Sequence, residues 1–234
     1  MEPRKRAPAH RALARELGIA ILTGRYPPGA LLPGELDLAD SLAVSRSVVR
    51  EALRTLAAKG LIESRPKTGT RVRNRADWNL LDPDLLAWMF EGEPPAGFVD
   101  SLFQLRMIVE PAAAELAARA RTTRHIARMG HALEVMEEEG LSSVDGQAAD
   151  QQFHNLILEA TGNDLLISLS GSIGAAVRAT TLFKHRKAKQ LRDSLPLHRD
   201  LFAAIIDGDP AAARAATITL ILQAQEDTES SLKA

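Results

Sequence analysis

Apolar positions recur at helical spacing along almost the whole chain, and the places where that spacing fails show how the chain is divided. From Ala9 to Tyr26, Leu13, Leu17, Ile21 and Leu22 fall on one face of a helix that Gly24 and the breaker Pro27-Pro28-Gly29 close. Pro33 stands where a first helical turn tolerates proline, ahead of Leu36, Leu38, Ala39 and Leu42 on a short second helix. Ala43-Val44 forms a turn. Ser45 then offers a side-chain oxygen to the free amides of a third helix, whose apolar face is Val48, Val49, Ala52, Leu53 and Leu56 and which Gly60 stops. After it, Leu61-Ile62 and Arg71-Val72 flank a Pro, Lys, Thr, Gly tip, which predicts a two-stranded hairpin. Three helices and a hairpin make a winged helix-turn-helix over residues 1–75.

Between Arg75 and Gly97 the texture changes. Asp82-Pro83 and Pro94-Pro95 interrupt it, and Trp78, Leu81, Leu85, Trp88 and Phe90 are its anchors, which predicts a linker over 76–94 with a short helix docked between domains. Over 95–234 the spacing is helical throughout. Breaks at Thr122-Thr123, Gly140, Gly162-Asn163, Pro196 and Gly208-Asp209-Pro210 predict six or so helices, and no strand pattern competes. The expected fold class is therefore mainly α, an N-terminal winged helix-turn-helix plus a C-terminal all-α helical bundle.

The chain's 234 residues suffice for two compact domains. It has no cysteine, which removes disulfide frameworks, thiolate metal sites and cysteine nucleophiles. No run of about 18 apolar residues appears, and the opening MEPRKRAPAH lacks the apolar stretch of a secretory signal, so a cytoplasmic protein with no membrane partner is expected. The net charge of -1 conceals an asymmetry: residues 1–75 hold 15 Lys+Arg against 7 Asp+Glu, and the remainder 14 against 23. The basic third attracts phosphates by releasing counterions, whereas the acidic remainder repels them.

In a helix-turn-helix, the residues at the start of the third helix face base edges and phosphates, here Arg46, Ser47 and Arg50. Arg46 and Arg50 are four apart and share the face opposite Val49, Leu53 and Leu56, a face that Arg54 extends. At the wing tip, Lys67, Thr68 and Gly69 are placed to approach the adjacent minor groove, Gly69 allowing close backbone approach. The same arginines taken alone read more readily as solvated helix charges, and it is the surrounding pattern that reverses this.

The acidic half carries a second constellation. Asp150 and His154 share the side of a helix on which Phe153 and Ile157 mark the apolar face. His198 is in phase with Leu195, Leu201 and Ile205, and Arg106 with Leu102, Val109 and Ala113. Four ionisable groups on core-facing stripes are costly unless they meet in a polar cavity. A divalent metal such as Zn²⁺ on Asp150, His154 and His198 satisfies them, as does a small carboxylate ligand on Arg106, Asp150, His154 and His198. Separate histidines bonded to backbone carbonyls are the third possibility.

The run LPGELDLADSLAVSRSVVREALRTLAAKGLIESRPKTGTRV resembles the GntR family of transcription regulators, in the order leucine-proline, acidic residue, VSR, VREAL, GLIE and glycine wing. The resemblance implies operator DNA as partner, with contacts at Arg46, Arg50 and the wing around Lys67 and Gly69. It departs at Leu36, where many members have an arginine. The segments ADQQFHNLILEATGNDLL and PLHRDLFAAIIDGDPAAARAA resemble the FCD effector domain of the FadR subfamily. In that family Asp-x3-His, a second His and a third His hold a metal beside a carboxylate effector. Asp150, His154 and His198 match three of those positions, and the fourth falls at Leu220, which cannot ligate, so that metal binding is weaker or is completed by water, by the effector or by another side chain such as Gln223. The junction NLLDPDLLAW is similar to that of members responding to sugar acids such as galactonate, and it makes Trp78 to Trp88 the candidate transmitter. A homodimeric repressor controlled by a small sugar-acid effector follows from the resemblance. Two rival readings remain: a metal-dependent hydrolase, for which no motif supplies a nucleophile and general base, and a DNA-binding protein that takes no ligand.

Overall fold

The computed structural model describes residues 8–65, 68–95, 97–187 and 191–233. The chain divides into two compact units, residues 1–95 and 96–234.

The first unit begins with α1 (Ala9–Leu22), which buries Leu13, Leu17 and Ile21 against α3 (Arg46–Ala58). Between them, α2 (Glu35–Ser41) starts at Gly34 and buries Leu38 and Ala39. The turn from α2 to α3 bends at Ala43, whose φ of 51° lies in the left-handed region. Ser45 then caps α3, its hydroxyl accepting from the Val48 amide at 3.4 Å. Strands β1 (Ile62–Arg65) and β2 (Gly69–Val72) pair antiparallel, Ile62 opposite Val72 and Arg65 opposite Gly69. Leu31 adds a bridge to Arg71 from the loop before α2. Leu61, Ile62 and Val72 are buried and tie this wing to the helical core.

Residues 76–94 are part of this first unit rather than a separate connector. A 3-10 turn (Arg75–Asp77) leads into α4 (Pro83–Met89), which packs on α1. Trp88 lies over Gly18, where an added Cβ would come within 2.4 Å of the indole ring. Gly60, at φ 78°, ends α3 where a Cβ would meet the Asp77 carbonyl at 2.4 Å. The Asn79 amide donates to the Lys59 carbonyl at 3.0 Å. Lys59 is the polar clasp: its ammonium lies 2.7 Å from both Asp82 and Asp84, and the Asp82 carboxylate also caps α4 through the Asp84 and Leu85 amides.

Among the described residues the second unit holds seven helices: α5 (Phe98–Ala120), α6 (Thr123–Glu139), α7 (Val144–Ala160), α8 (Asp164–Ser168), α9 (Ser170–Lys187), α10 (Leu195–Asp207) and α11 (Pro210–Leu232). Several residues at the breaks are caps: Thr122, Ser143, Asn163 and Asp209 each accept from amides of the helix that follows. Helix α7 is the centre, packed on α5, α6 and α9, and its Phe153, Leu156 and Ile157 share a core with Ala113, Met136, Val177, Leu201 and Leu220. Gly174 lets α9 approach α7 closely, since a Cβ there would meet Asn155 Oδ1 at 2.4 Å. No helix among the described residues is long and apolar enough to cross a membrane.

Asp82→Ala removes the cap of α4 and one of the two carboxylates on a buried ammonium, so the first unit is expected to lose about 2 kcal/mol. Both tryptophans of the chain, Trp78 and Trp88, lie in this segment. Urea unfolding followed by tryptophan emission reads the effect, and an unchanged midpoint would show that the clasp contributes nothing.

Candidate functional site

Two surfaces carry chemistry, one in each unit. In the first, the apolar stripe of α3 is buried, and the opposite face leaves Arg46, Ser47, Arg50 and Arg54 exposed. Arg50 Nε lies 3.6 Å from Glu35, and Arg54 bonds Glu51 at 2.7 Å one turn earlier on the same helix. Both contacts are solvent-exposed and weakly held. Among the described residues Arg46 forms no ion pair. Thr68 and Gly69 are exposed at the wing tip, Gly69 at φ 84°, and Lys67 lies outside the described residues. Leu36, the departure on α2, is 49% exposed and takes no part in the core.

In the second unit a cavity of about 350 Å³ opens among α5, α7, α9, α10 and α11. Arg106, Asp150, His154 and His198, drawn from three of those helices, all line it and are all buried. Their hydrogen bonds explain how an apolar bundle holds them. Arg106 donates from Nε to Glu110 at 2.6 Å and leaves Nη1 buried with no partner. The other oxygen of Glu110 accepts from His154 Nδ1 at 3.0 Å. His198 Nδ1 lies 2.8 Å from the Ser194 carbonyl, an acceptor only, so Nδ1 bears the proton. Anchored in this way, both rings turn Nε2 toward Asp150 Oδ1, at 3.6 Å from His154 and 3.2 Å from His198. Thr181 donates to the other Asp150 oxygen at 3.2 Å.

Burial works to raise the Glu110 carboxyl, but the Arg106 guanidinium and His154 outweigh it and hold it down at about 2. Asp150 is opposed by burial in the same way and is drawn to about 2 by His198, His154 and Lys184.

Ligand atoms of Asp150, His154 and His198 lie within 4.8 Å of one another. The two Nδ1 atoms are held by a carboxylate and a carbonyl, the outer-shell arrangement that orients metal-binding imidazoles. His198 Nε2 is close to Asp150 yet too poorly aligned to hydrogen-bond it, and it is left buried and unsatisfied. These residues fit a divalent ion with three protein ligands and further positions open. Leu220, at the family's fourth ligand position, lines the cavity and supplies only apolar surface, while Gln223 also lines it.

Sequence reasoning missed Glu110 and Lys184. Glu110 had a signal, because it follows Arg106 by four and so shares its core-facing stripe. Lys184 had none: within Phe183-Lys184-His185-Arg186-Lys187 it reads as a basic last turn, yet it lines the cavity.

A winged helix-turn-helix joined to a helical bundle with a polar cavity defines a DNA-binding regulator with a ligand-sensing domain. Residues 9–72 match the bacterial regulatory proteins of the gntR family and residues 101–223 the FCD domain, and the chain belongs to that family, in its FCD-bearing, FadR-type branch. It is 34% identical over 208 residues to the galactonate operon transcriptional repressor of Escherichia coli, covering 88% of this chain and 90% of that protein. To the Uxu operon transcriptional regulator of the same organism it is 35% identical over 214 residues, 88% of this chain and 79% of that one. Among solved structures, a Streptococcus agalactiae GntR protein is 28% identical with a TM-score of 0.50, over 93% of this chain and 99% of that chain. The fold is also that of Lar, described as controlling the Listeria monocytogenes agr system, at a TM-score of 0.66 and 16% identity over 97% and 99% of the two chains. These relatives are transcription regulators, and the protein is a DNA-binding regulator rather than a metal-dependent hydrolase.

Glu110→Gln strands the buried Arg106 charge and is expected to destabilise the chain by about 3 kcal/mol near neutral pH. Because the folded Glu110 is depressed to about 2, its contribution is complete above the unfolded carboxyl value of about 4.3 and fades as pH falls from there toward about 2. The stability gap between the two proteins should therefore narrow on acidification through that window. Urea titrations at stepped pH measure it, and a constant gap from pH 6 to pH 3 would remove Glu110 from the charge network.

Proposed function

We propose that the protein is a cytoplasmic homodimeric repressor that releases a near-palindromic operator when a small sugar acid enters the cavity of the second unit. The observation that carries this reading is the convergence of Arg106, Asp150, His154 and His198 on one cavity, two of them with a buried polar atom left unpartnered. An anionic, hydroxyl-rich ligand meets those needs: its carboxylate reaches Arg106 Nη1, and its hydroxyls bond the imidazoles and Asp150. The E. coli relatives named for the galactonate and Uxu operons support a sugar acid. Asp150, His154 and His198 would hold one divalent ion such as Zn²⁺. When bound, that ion supplies a Lewis-acid centre for a carboxylate or hydroxyl oxygen. Arg106 fixes the ligand's orientation, and Glu110 keeps the His154 ring turned to the site.

On the DNA side, two copies place their α3 helices about one helical turn apart. Arg46, Ser47, Arg50 and Arg54 face the major groove, with Lys67, Thr68 and Gly69 of the wing at the adjacent minor groove. A ligand shifts DNA affinity only through its differential affinity for the two arrangements of the winged units, with couplings of about 1 to 3 kcal/mol in comparable systems. The segment from Trp78 to Trp88 is the proposed transmitter.

The test begins with operator DNA selected from a random library by the purified protein. Arg50→Ala should bind it about tenfold or more weakly and lower the dependence of log Kd on log salt by about one. Unchanged affinity across a salt series would remove α3 from the groove. Adding galactonate should release DNA from the wild-type protein. A protein whose DNA binding and melting temperature ignore every sugar acid tried would instead be a DNA-binding protein without a ligand.

Metal content gives a separate check. Dialysed wild-type protein is expected to hold about one zinc per chain, and His198→Ala to hold far less. Equal zinc in the two would place the ion elsewhere.

A further inference from the structure

The cavity contains a cation that the reading above leaves unused. Lys184 lies one turn after Thr181 on α9, and Thr181 bonds Asp150, so the lysine enters the cavity beside the Asp150, His154 and His198 cluster. Its side chain is largely enclosed, yet it forms no ion pair among the described residues. Three other charged groups on this wall have partners. Arg106 is paired with Glu110, Arg192 with Asp227 and Glu226, and Asp150 with the two histidines and Thr181.

Two separate cationic donors thus stand in one cavity: Arg106 Nη1, which has no hydrogen-bond acceptor although Glu110 matches the charge of its guanidinium, and the Lys184 ammonium, which forms no ion pair among the described residues. A ligand whose single carboxylate is placed on Arg106 Nη1 leaves the Lys184 ammonium desolvated and unmatched, which is unfavourable. We propose that Lys184 anchors a second acidic group of the effector, so that the cavity selects a compact dianion, a sugar dicarboxylate or a phosphorylated sugar acid, over a sugar acid with one carboxylate. This rests on the reading that the cavity takes an acidic effector. The volume of about 350 Å³ suits a six-carbon chain with acidic groups at both ends. Burial pushes the Lys184 amine below the ordinary lysine range, and Arg106 and Arg192 push the same way against the pull of Asp150 and Asp227. A bound anion relieves that penalty and an apolar wall would not need it.

The experiment is calorimetric titration of the full chain, and of Lys184→Met, with galactonate, galactarate and 6-phosphogluconate at one fixed ionic strength. Wild-type protein is expected to bind at least one of the two dianions tenfold or more tightly than galactonate, and which of them wins separates carboxylate from phosphate. In Lys184→Met that preference should fall to near unity, while the ligand-free variant melts no lower than wild type, because a lysine kept for the fold would destabilise when removed. Wild-type protein that binds galactonate as tightly as both dianions overturns the assignment of Lys184 and leaves the sensing reading standing. A Lys184→Met protein that keeps the preference, or that melts well below wild type, overturns it as well. If none of the three acids binds or releases operator DNA, the sensing reading fails and this proposal fails with it.

Discussion

Charge enclosed in an apolar bundle is the constraint on which the second unit is built. From Arg106 through Glu110, His154 and Asp150 to His198, carboxylates alternate with a guanidinium and two imidazoles across α5, α7 and α10, consecutive groups lying 2.6, 3.0, 3.6 and 3.2 Å apart. No pair in this series is independent. Removing Glu110 strands Arg106 and frees the His154 ring, and removing Asp150 leaves both imidazoles facing nothing. Such a network contributes little net stability compared with leucines of equal volume, so its presence in an otherwise well-packed core points to work other than holding the fold.

The first unit solves an opposite problem, which is to hold arginines in water on a rigid helix. Helix α3 is fixed at its beginning by the Ser45 cap and at its end by Gly60, whose missing Cβ admits the Asp77 carbonyl. Its apolar side is buried in α1 and the wing, so rotation about its axis is prevented and the Arg46, Arg50 and Arg54 face is fixed by exclusion. The Lys59 clasp with Asp82 and Asp84 extends the same body to residue 95, which is why the tryptophan-rich segment belongs to this unit.

Most of this was legible from period and punctuation. A helix repeats every 3.6 residues, so the phase of Val49, Leu53 and Leu56 gives the exposure of Arg46 and Arg50, and the phase of Phe153 gives the burial of Asp150 and His154. Breaks were legible because the residues that end one helix, such as Gly140 and Gly208, have backbone properties that a helix interior rejects. The docking place of α4 was not legible: Gly18 within α1 reads only as a weak helix former, and nothing in the order of residues couples it to the ring of Trp88, 70 positions later. Lys184 escaped for a related reason. A lysine at the end of a basic helix has the same pattern whether its stem lies on the surface or turns into a cavity, and only the packing of α9 on α7 decides.

The cavity's position in the bundle bears on how a ligand there acts. Polar groups on its wall come from α5, α7, α9 and α10, segments separated by as many as 92 residues between Arg106 and His198, so one small molecule bonded to several of them adds to the few polar contacts, such as Glu110 with His154 and Thr181 with Asp150, that join these helices. Arg106 Nη1 and His198 Nε2 are buried and unpartnered without it, and their desolvation is already part of the energy of the free protein. A ligand that supplies the missing partners recovers that energy. The stabilisation therefore goes to whichever arrangement of the four helices best presents those groups to the ligand, and an affinity difference between two such arrangements is the physical content of an allosteric signal.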